Sequence, residues 1–183
     1  MEQCTSLPTP MSTSSHIGPD HSGQDVDVKI YRGMVGSLMY LTASRPDIMF
    51  ATCVCARYQA NPKESHLLAV KRILRYLKGT AYYGLWYPEG LGFELKAYTD
   101  SNYGGCNLDW KSTSGHLQFL GDKLVSWASK KKQCVSTYIG ETEYVAAASC
   151  CSQVLWMQTQ LTDFGLKYKK IPVRSISSSI RQI

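Results

Sequence analysis

The sequence predicts an α/β (α+β) fold in which a helical segment precedes a set of strands and a final long helix. Apolar residues recur at helical spacing within residues 28–79. Short apolar runs with strand character follow within residues 93–128, and a long helical pattern then covers Glu141–Leu161. A hydrophobic fraction of 44% and a charged fraction of 19% in 183 residues are typical of a folded globular protein.

Three helices are predicted within residues 28–79. The second begins at Pro46, because the N–H that proline lacks would be unpaired in the first turn of a helix. By the same reasoning, the third has Asn61 as its N-cap and Pro62 as its first helical residue. Gly79 is predicted to end this third helix, since glycine is the favoured residue just past a helix terminus.

The strands are predicted from short apolar runs bounded by turn residues. Phe93–Thr99 alternates and ends at an aspartate, while Ser114–Leu120 and Leu124–Ala128 are joined by a short hairpin loop. Gly84–Tyr87 is a further short apolar run, and residues 133–137 could extend the hairpin or lead to the next element. Ile171-Pro172-Val173 could begin a fourth strand.

Charge is unevenly distributed along the chain. The formal net charge is +6 and the isoelectric point is about 8.9, which favours polyanionic partners weakly. Residues 1–27 contain four acidic and no basic side chains, whereas residues 28–79 contain nine basic and two acidic ones. Residues 1–27 are also rich in Ser, Thr, Pro and Gly without periodicity, and this composition predicts a flexible linker or tail.

Several classes of protein are disfavoured by composition. No segment has the basic start and apolar core of a signal peptide, and no apolar run approaches the roughly 20 residues that a membrane helix needs. A membrane partner is therefore not expected. The seven cysteines lack the paired spacing of a zinc site, so we expect reduced thiols in an intracellular protein.

Basic side chains cluster on one face of the third predicted helix, where Lys71, Arg75 and Lys78 lie with Arg72 alongside. This pattern is compatible with a face that contacts nucleic-acid phosphates and with the ordinary solvated face of an amphipathic helix, and spacing alone favours the second. A second basic group, which includes Lys130 and Lys131, follows the predicted hairpin.

Two carboxylates could contribute to a metal site. Asp100 follows a predicted strand and precedes a turn of small residues, and Glu143 lies near the start of the long helix. If that helix packs across the sheet, Glu143 approaches Asp100, and the two could share a Mg²⁺ ion. Taken alone, these residues are more often a turn aspartate and a partner of the helix dipole.

Longer strings carry a resemblance to a known family. These strings are Tyr31–Ser37 (YRGMVGS), Tyr40–Met49 (YLTASRPDIM), Asn61–Thr80 (NPKESHLLAVKRILRYLKGT), Tyr98–Tyr103 (YTDSNY), Lys111–Gly115 (KSTSG), Ser126–Lys131 (SWASKK) and Glu141–Ala148 (ETEYVAAA). In this order and without large gaps, they resemble the segment that joins polymerase to RNase H in copia-type retrotransposon Pol polyproteins. The resemblance covers roughly residues 1–173 and is far more specific than a single short motif.

The resemblance implies a helical connection segment followed by an incomplete RNase H-like mixed sheet with flanking helices. It divides the chain into a linker (1–27), the connection segment (28–80), a partial RNase H-like domain (81–173) and a divergent tail (174–183). Proteins of this family cleave RNA in RNA–DNA hybrids with Mg²⁺, and Mn²⁺ is a possible substitute. The implied partners are such a hybrid and the polymerase part of the same polyprotein, in the cytoplasm or nucleus.

The implied metal ligands are incomplete. Asp100 matches the first catalytic aspartate of the family and Glu143 matches its catalytic glutamate. In the family, Ile171-Pro172-Val173 would continue into a strand that supplies a third acidic ligand, but Arg174-Ser175-Ile176 follows here and no Asp or Glu occurs after Asp163. We therefore expect an absent or altered central strand and a defective catalytic site.

Smaller departures from the family pattern lie near the first strand and the hairpin. Asn102 stands where a second aspartate is common, and Trp110 stands where arginine is usual. Three hypotheses for function remain: a ribonuclease for RNA–DNA hybrids, a non-catalytic nucleic-acid-binding remnant, and a degenerate reading frame without a selected role.

Overall fold

The computed structural model describes residues 4–12, 17–90, 92–106 and 108–176. The chain divides into two compact units, residues 1–85 and 86–183, and each is considered by itself below. The first unit is helical and the second contains a mixed sheet with a long helix, so the predicted α/β class is confirmed. Within the described residues, no helix is both long enough and apolar enough to cross a lipid bilayer.

The first unit is built from three helices and one short turn. These elements are α1 (Val28–Leu41), a 3₁₀ turn (Pro46–Ile48), α2 (Met49–Ala56) and α3 (Glu64–Gly79). Their apolar stripes meet in one core, whose fully or nearly buried members are Tyr31, Val35, Leu38, Ile48, Ala51, Cys55, Val70, Ile73 and Tyr76. Burial of this stripe, more than intrinsic helix propensity, stabilises helices of this length.

The start of α3 differs from its prediction. Asn61 is not the N-cap; Lys63 occupies that position and the helix begins at Glu64. The reason is the His66 side chain, whose Nδ1 accepts the Lys63 backbone N–H at 2.9 Å and so pairs a donor that the helix leaves free. Pro62 consequently lies before the cap and is buried.

The predicted flexible tail is packed where the structure describes it. The Tyr58 hydroxyl donates to the Ile17 carbonyl at 2.9 Å, and the Ser65 hydroxyl donates to the Asp20 carboxylate at 2.7 Å. Asp25 forms an isolated β-bridge with Lys63. Composition predicted a loose tail because it does not reveal partners that lie far away in the sequence. These three contacts join residues that are 41, 45 and 38 positions apart.

The second unit contains one four-stranded sheet in the order β3-β2-β1-β4. Its strands are β1 (Leu95–Asn102), β2 (Thr113–Leu120), β3 (Lys123–Lys131) and β4 (Val173–Ser175). The first three pair antiparallel, with β2 and β3 forming the predicted hairpin, and β4 pairs parallel to β1. The sheet is therefore mixed, as expected.

One face of the sheet is covered by α4 (Ile139–Asp163). The core between them contains Leu95 and Ala97 from β1 and Cys150, Val154 and Met157 from α4. Because these residues recur at helical spacing on α4 and alternate on β1, both elements present one apolar face to the other.

Three strand predictions are refined by the structure. The run Gly84–Tyr87 lies outside every described strand, and the Tyr87 hydroxyl instead donates to the Leu124 carbonyl at 2.7 Å. Residues 133–137 form a connection to α4 and do not extend β3. The strand expected to be absent or altered is present beside β1, because residues 173–175 pair with β1 through main-chain groups, and it contains no acidic residue.

Candidate metal centre and nucleic-acid interface

Asp100 is the sixth residue of β1 and lies inside the strand, which continues to Asn102. It pairs in register with Gly115 of β2. Leu95, Ala97 and Thr99 are buried, whereas Asp100 is exposed. Because successive strand side chains point to opposite faces, Asp100 projects from the face opposite to the one that packs on α4.

Glu143 lies on the buried stripe of α4, one turn before Ala146, and is 7% exposed. The later residues Val154 and Met157 of this helix pack against the beginning of β1. The helix therefore runs antiparallel to β1, and its start lies toward the strand end that carries Asp100. The two predicted carboxylates thus lie toward the same end of the sheet but on different sides of it, because Asp100 projects away from the face on which α4 and Glu143 pack.

The position beside Asp100 on β4 is apolar. Thr99 pairs with Ser175, and the Ile176 backbone N–H donates to the Thr99 carbonyl at 2.9 Å. Continuing this register by one residue places Ile176 next to Asp100, and the Ile176 side chain is 52% exposed. The isoleucine side chain has no oxygen for a metal ion at the position where a neighbouring strand could supply a third carboxylate.

The donor set does not fit a two-metal centre. Within residues 4–12, 17–90, 92–106 and 108–176, no group of three or more His, Cys, Asp or Glu side chains is arranged to hold a metal ion. Mg²⁺ takes oxygen ligands in a near-octahedral shell, and two-metal hydrolysis needs acidic groups that hold both ions about 4 Å apart. Asp100 and Glu143 alone do not provide them.

Hydrogen bonds from residues outside the predicted site hold the start of α4. The Glu141 carboxylate accepts the Thr137 backbone N–H at 2.6 Å and the Thr137 hydroxyl at 2.8 Å, and these hydrogen bonds lower the pKa of Glu141. Lys132 donates to the Thr142 carbonyl at 2.6 Å. Thr137 lies four residues before Glu141, one more than the capping-box spacing, so the sequence carried no standard signal for this contact.

The second basic group is partly neutralised. Lys131 pairs with Asp109 at 2.9 Å, and Lys111 pairs with the same carboxylate at 3.2 Å. Burial raises the pKa of Asp109, but hydrogen bonds from Lys131, Cys106 and Lys111 outweigh burial and hold that pKa well below its usual range. Lys130 is exposed, so it is the better placed of the two predicted phosphate contacts.

Most basic side chains on α3 have partners within the same unit. Arg72 donates to Thr9, Arg75 donates to Thr5 and Lys78 donates to the Cys4 carbonyl, all of which belong to the N-terminal segment. The partners in these contacts are carbonyl and hydroxyl oxygens without charge. The cations are therefore hydrogen-bonded but not electrically neutralised by these contacts.

Comparison with known proteins places the chain among transposon polyproteins. It is 38% identical over 165 residues, 90% of its length, to the retrovirus-related Pol polyprotein from transposon RE1 of Arabidopsis thaliana. It is 39% identical over 150 residues, 81% of its length, to the corresponding polyprotein from transposon TNT 1-94 of Nicotiana tabacum. The chain is therefore similar to a segment of the retrovirus-related Pol polyproteins of transposons.

The Pol-related chain spans only 11% of the length of each of these two polyproteins. It also matches a shorter protein, the secreted RxLR effector protein 161 of Plasmopara viticola, with 36% identity over 128 residues, which are 69% of the chain and 90% of that protein. No protein-family model matches the chain, and no solved structure matches it.

Proposed function

We propose that this Pol segment is the region that joins reverse transcriptase to RNase H, and that its RNase H-like unit does not hydrolyse RNA. The order of a helical unit followed by a mixed sheet supports this assignment, as do the positions of Asp100 and Glu143 at one end of that sheet. The loss of hydrolysis rests on Ile176, which takes the place beside Asp100.

The physical reason is the number of acidic ligands. Hydrolysis of a phosphodiester with bound metal ions depends on holding the ions, the attacking water and the phosphate in line. Two carboxylates leave most of the coordination shell to water, so neither ion is fixed. Without that fixed charge, the transition state loses its main stabilisation.

A cleavage assay tests the proposal. The chain is incubated with a labelled RNA–DNA hybrid in Mg²⁺, and separately in Mn²⁺, beside the Asp100→Asn variant. We expect no cleavage by either protein from samples shown to be folded by circular dichroism. Cleavage by the unaltered chain that disappears in Asp100→Asn would contradict the proposal.

Restoring a carboxylate provides a positive test. We expect Ile176→Asp to strengthen Mn²⁺ binding by about tenfold, the factor that corresponds to about 1.4 kcal/mol from one added carboxylate. Isothermal titration calorimetry measures this change. Ile176→Asn is the matched control, because it has nearly the same shape without the charge; equal binding by the two variants would show that position 176 does not face the site.

A second function, binding of nucleic acid, is supported by the basic side chains on one face of α3. Lys71 is exposed, and Arg72 and Arg75 donate to neutral oxygens. Contacts to phosphates are indifferent to base sequence. We expect Lys71→Ala combined with Arg75→Ala to weaken binding equally for unrelated oligonucleotides, as fluorescence anisotropy would measure; unchanged binding would remove α3 from the interface.

A further inference from the structure

Residues 4–9, which we name the strap, lie along the basic face of α3. Lys78 Nζ donates to the Cys4 carbonyl at 2.9 Å. Arg75 donates to both oxygens of Thr5, at 2.8 Å to the carbonyl and 3.0 Å to the hydroxyl. Arg72 donates to both oxygens of Thr9, at 3.3 Å to the carbonyl and 2.8 Å to the hydroxyl.

The two arginines therefore hold the two threonines in the same way. Each guanidinium uses Nε and one terminal nitrogen, the paired geometry with which arginine also binds a phosphate group. The groups that would contact phosphates are thus the groups that hold the strap. One side chain cannot make both sets of contacts at once.

The strap also approaches the backbone of α3 closely at Gly79. A Cβ atom added to Gly79 would lie 2.8 Å from Ser6 Cβ, which is closer than such carbon atoms pack. Since Ser6 Cβ is attached directly to the main chain, the strap itself would have to move. Gly79 is the last helical residue and its φ lies outside the left-handed region, so alanine suits its conformation.

A phosphate backbone is the stronger acceptor for these cations. The strap contains no Asp or Glu, so its oxygens accept hydrogen bonds without balancing charge. The bonds to the strap have a charged donor and a neutral acceptor, whereas a phosphate oxygen adds the Coulomb attraction between opposite charges. The phosphodiester backbone of a nucleic acid offers several such oxygens, and their number favours exchange of the strap for nucleic acid.

We propose that the strap is an autoinhibitory contact, which competes with nucleic-acid phosphates for Arg72, Arg75 and Lys78. This inference rests on the nucleic-acid binding by α3 proposed above. Binding then requires release of the strap, and the apparent affinity is reduced by the fraction of molecules in which the strap is closed. Loosening the strap without touching a basic side chain should strengthen binding.

Gly79→Ala loosens the strap in this way, and Gly33→Ala is the matched control. Gly33 lies in α1, and a Cβ atom added there meets nothing within 4 Å. We expect Gly79→Ala to bind a single-stranded oligonucleotide about tenfold more tightly than the unaltered chain does. A tenfold gain corresponds to a strap that is open in about one in ten molecules of the unaltered chain and in nearly all molecules of the variant. Gly33→Ala should bind as the unaltered chain does.

Hydrogen–deuterium exchange reports on the strap directly. We expect exchange in the peptide that contains residues 4–12 to increase in Gly79→Ala, and to increase in the unaltered chain when the oligonucleotide is added. Circular dichroism shows whether Gly79→Ala keeps its helices.

The double variant Thr5→Ala with Thr9→Ala is an independent way to loosen the strap, because it removes one hydrogen-bond acceptor from each arginine contact.

The outcomes separate the two proposals. Equal affinity of Gly79→Ala and the unaltered chain, with faster exchange in the strap, would overturn autoinhibition and leave binding by α3 intact. No binding at low salt by any variant, including those with a released strap, would overturn both. Weaker binding by Gly79→Ala would show that the strap contributes to the interface and does not block it.

Discussion

A buried charged network is the clearest contribution of single residues to stability. Arg45 is 7% exposed and donates to the Asp47 carboxylate at 2.9 and 2.7 Å. It also donates to the Thr80 carbonyl and hydroxyl, and the Tyr76 hydroxyl donates to Asp47 at 2.7 Å. The network connects the turn before α2 with the end of α3, and its satisfied hydrogen bonds offset the cost of burying the guanidinium.

Asp47→Asn should destabilise the first unit by about 2 kcal/mol, because the buried Arg45 would keep its charge and lose its anionic partner. Burial raises the pKa of Asp47, but hydrogen bonds from Arg45 and Tyr76 outweigh it and leave that pKa below 3.8. A lowered pKa stabilises the folded state at neutral pH, and this contribution is lost as the pH falls below 3.8.

Urea unfolding at several pH values measures both effects. The unaltered chain should lose more stability than Asp47→Asn as the pH falls into this acidic range. Parallel pH profiles for the two proteins would contradict this account of Asp47.

Trp110 adopts a left-handed backbone conformation, with φ 55°. Such a conformation costs a residue with a Cβ atom roughly 1–2 kcal/mol, and the Trp110 side chain is 70% exposed, so little packing offsets it. We expect Trp110→Gly to stabilise the chain by about 1 kcal/mol in urea unfolding. Trp110→Ala retains the Cβ atom and should not show this gain; equal stabilisation by both would point to the indole itself.

The sequence offered Asp100 and Glu143 as candidate ligands, a role that stays a prediction, but it did not reveal the partners of the basic residues. A carboxylate near a strand end and another near a helix start are both visible in local patterns. Arg72 and Arg75, by contrast, contact threonines that lie 63 and 70 residues earlier in the chain. The spacing of apolar residues shows which face of a helix is polar. It contains no information about which segment of the chain packs on that polar face.

At the scale of elements, α3 depends on one histidine. His66 is 1% exposed, caps the helix through the Lys63 N–H, contacts the Gly18 carbonyl at 2.9 Å and stacks on Tyr58 with ring centroids 4.1 Å apart. Since Nδ1 accepts a hydrogen bond, Nε2 donates to Gly18.

His66→Ala should lower the free energy of unfolding by about 2–3 kcal/mol. The loss has three sources: the missing helix cap, the missing contact with the N-terminal segment and the cavity left by the ring. Thermal unfolding followed by circular dichroism measures this loss. His21→Ala, at an exposed position in the tail, is the control. A change of less than 0.5 kcal/mol in His66→Ala, the range typical of surface substitutions, would exclude a capping role.

Elements with long apolar patterns were predicted, and those defined by main-chain contacts were not. The bounds of α1, α3 and the hairpin follow periodicity within a few residues. The Asn61 cap was wrong because His66 provides a competing contact from within the helix. A fourth strand was predicted to begin within Ile171-Pro172-Val173, but its continuation through Arg174 and Ser175 has no strand pattern and depends on backbone pairing with β1.

At the scale of the whole molecule, charge asymmetry predicts how binding responds to salt. The acidic residues of the N-terminal segment and the basic residues of segment 28–79 lie in the same unit. We assume that the α3 cations contact about four phosphates of a single strand. A plot of the logarithm of the binding constant against the logarithm of the salt concentration should then have a slope of about −3. Anisotropy titrations measure this slope, and a slope near zero would exclude a phosphate interface.

Main-chain pairing of β4 has a consequence for how such a sequence changes over generations. The hydrogen bonds between Val173–Ser175 and β1 do not depend on which side chains those residues have. A mutation that replaces an acidic ligand at this edge therefore leaves the sheet intact while removing the chemistry. Selection against misfolding would not remove such a change, so a side chain at this edge can be replaced while the fold is kept.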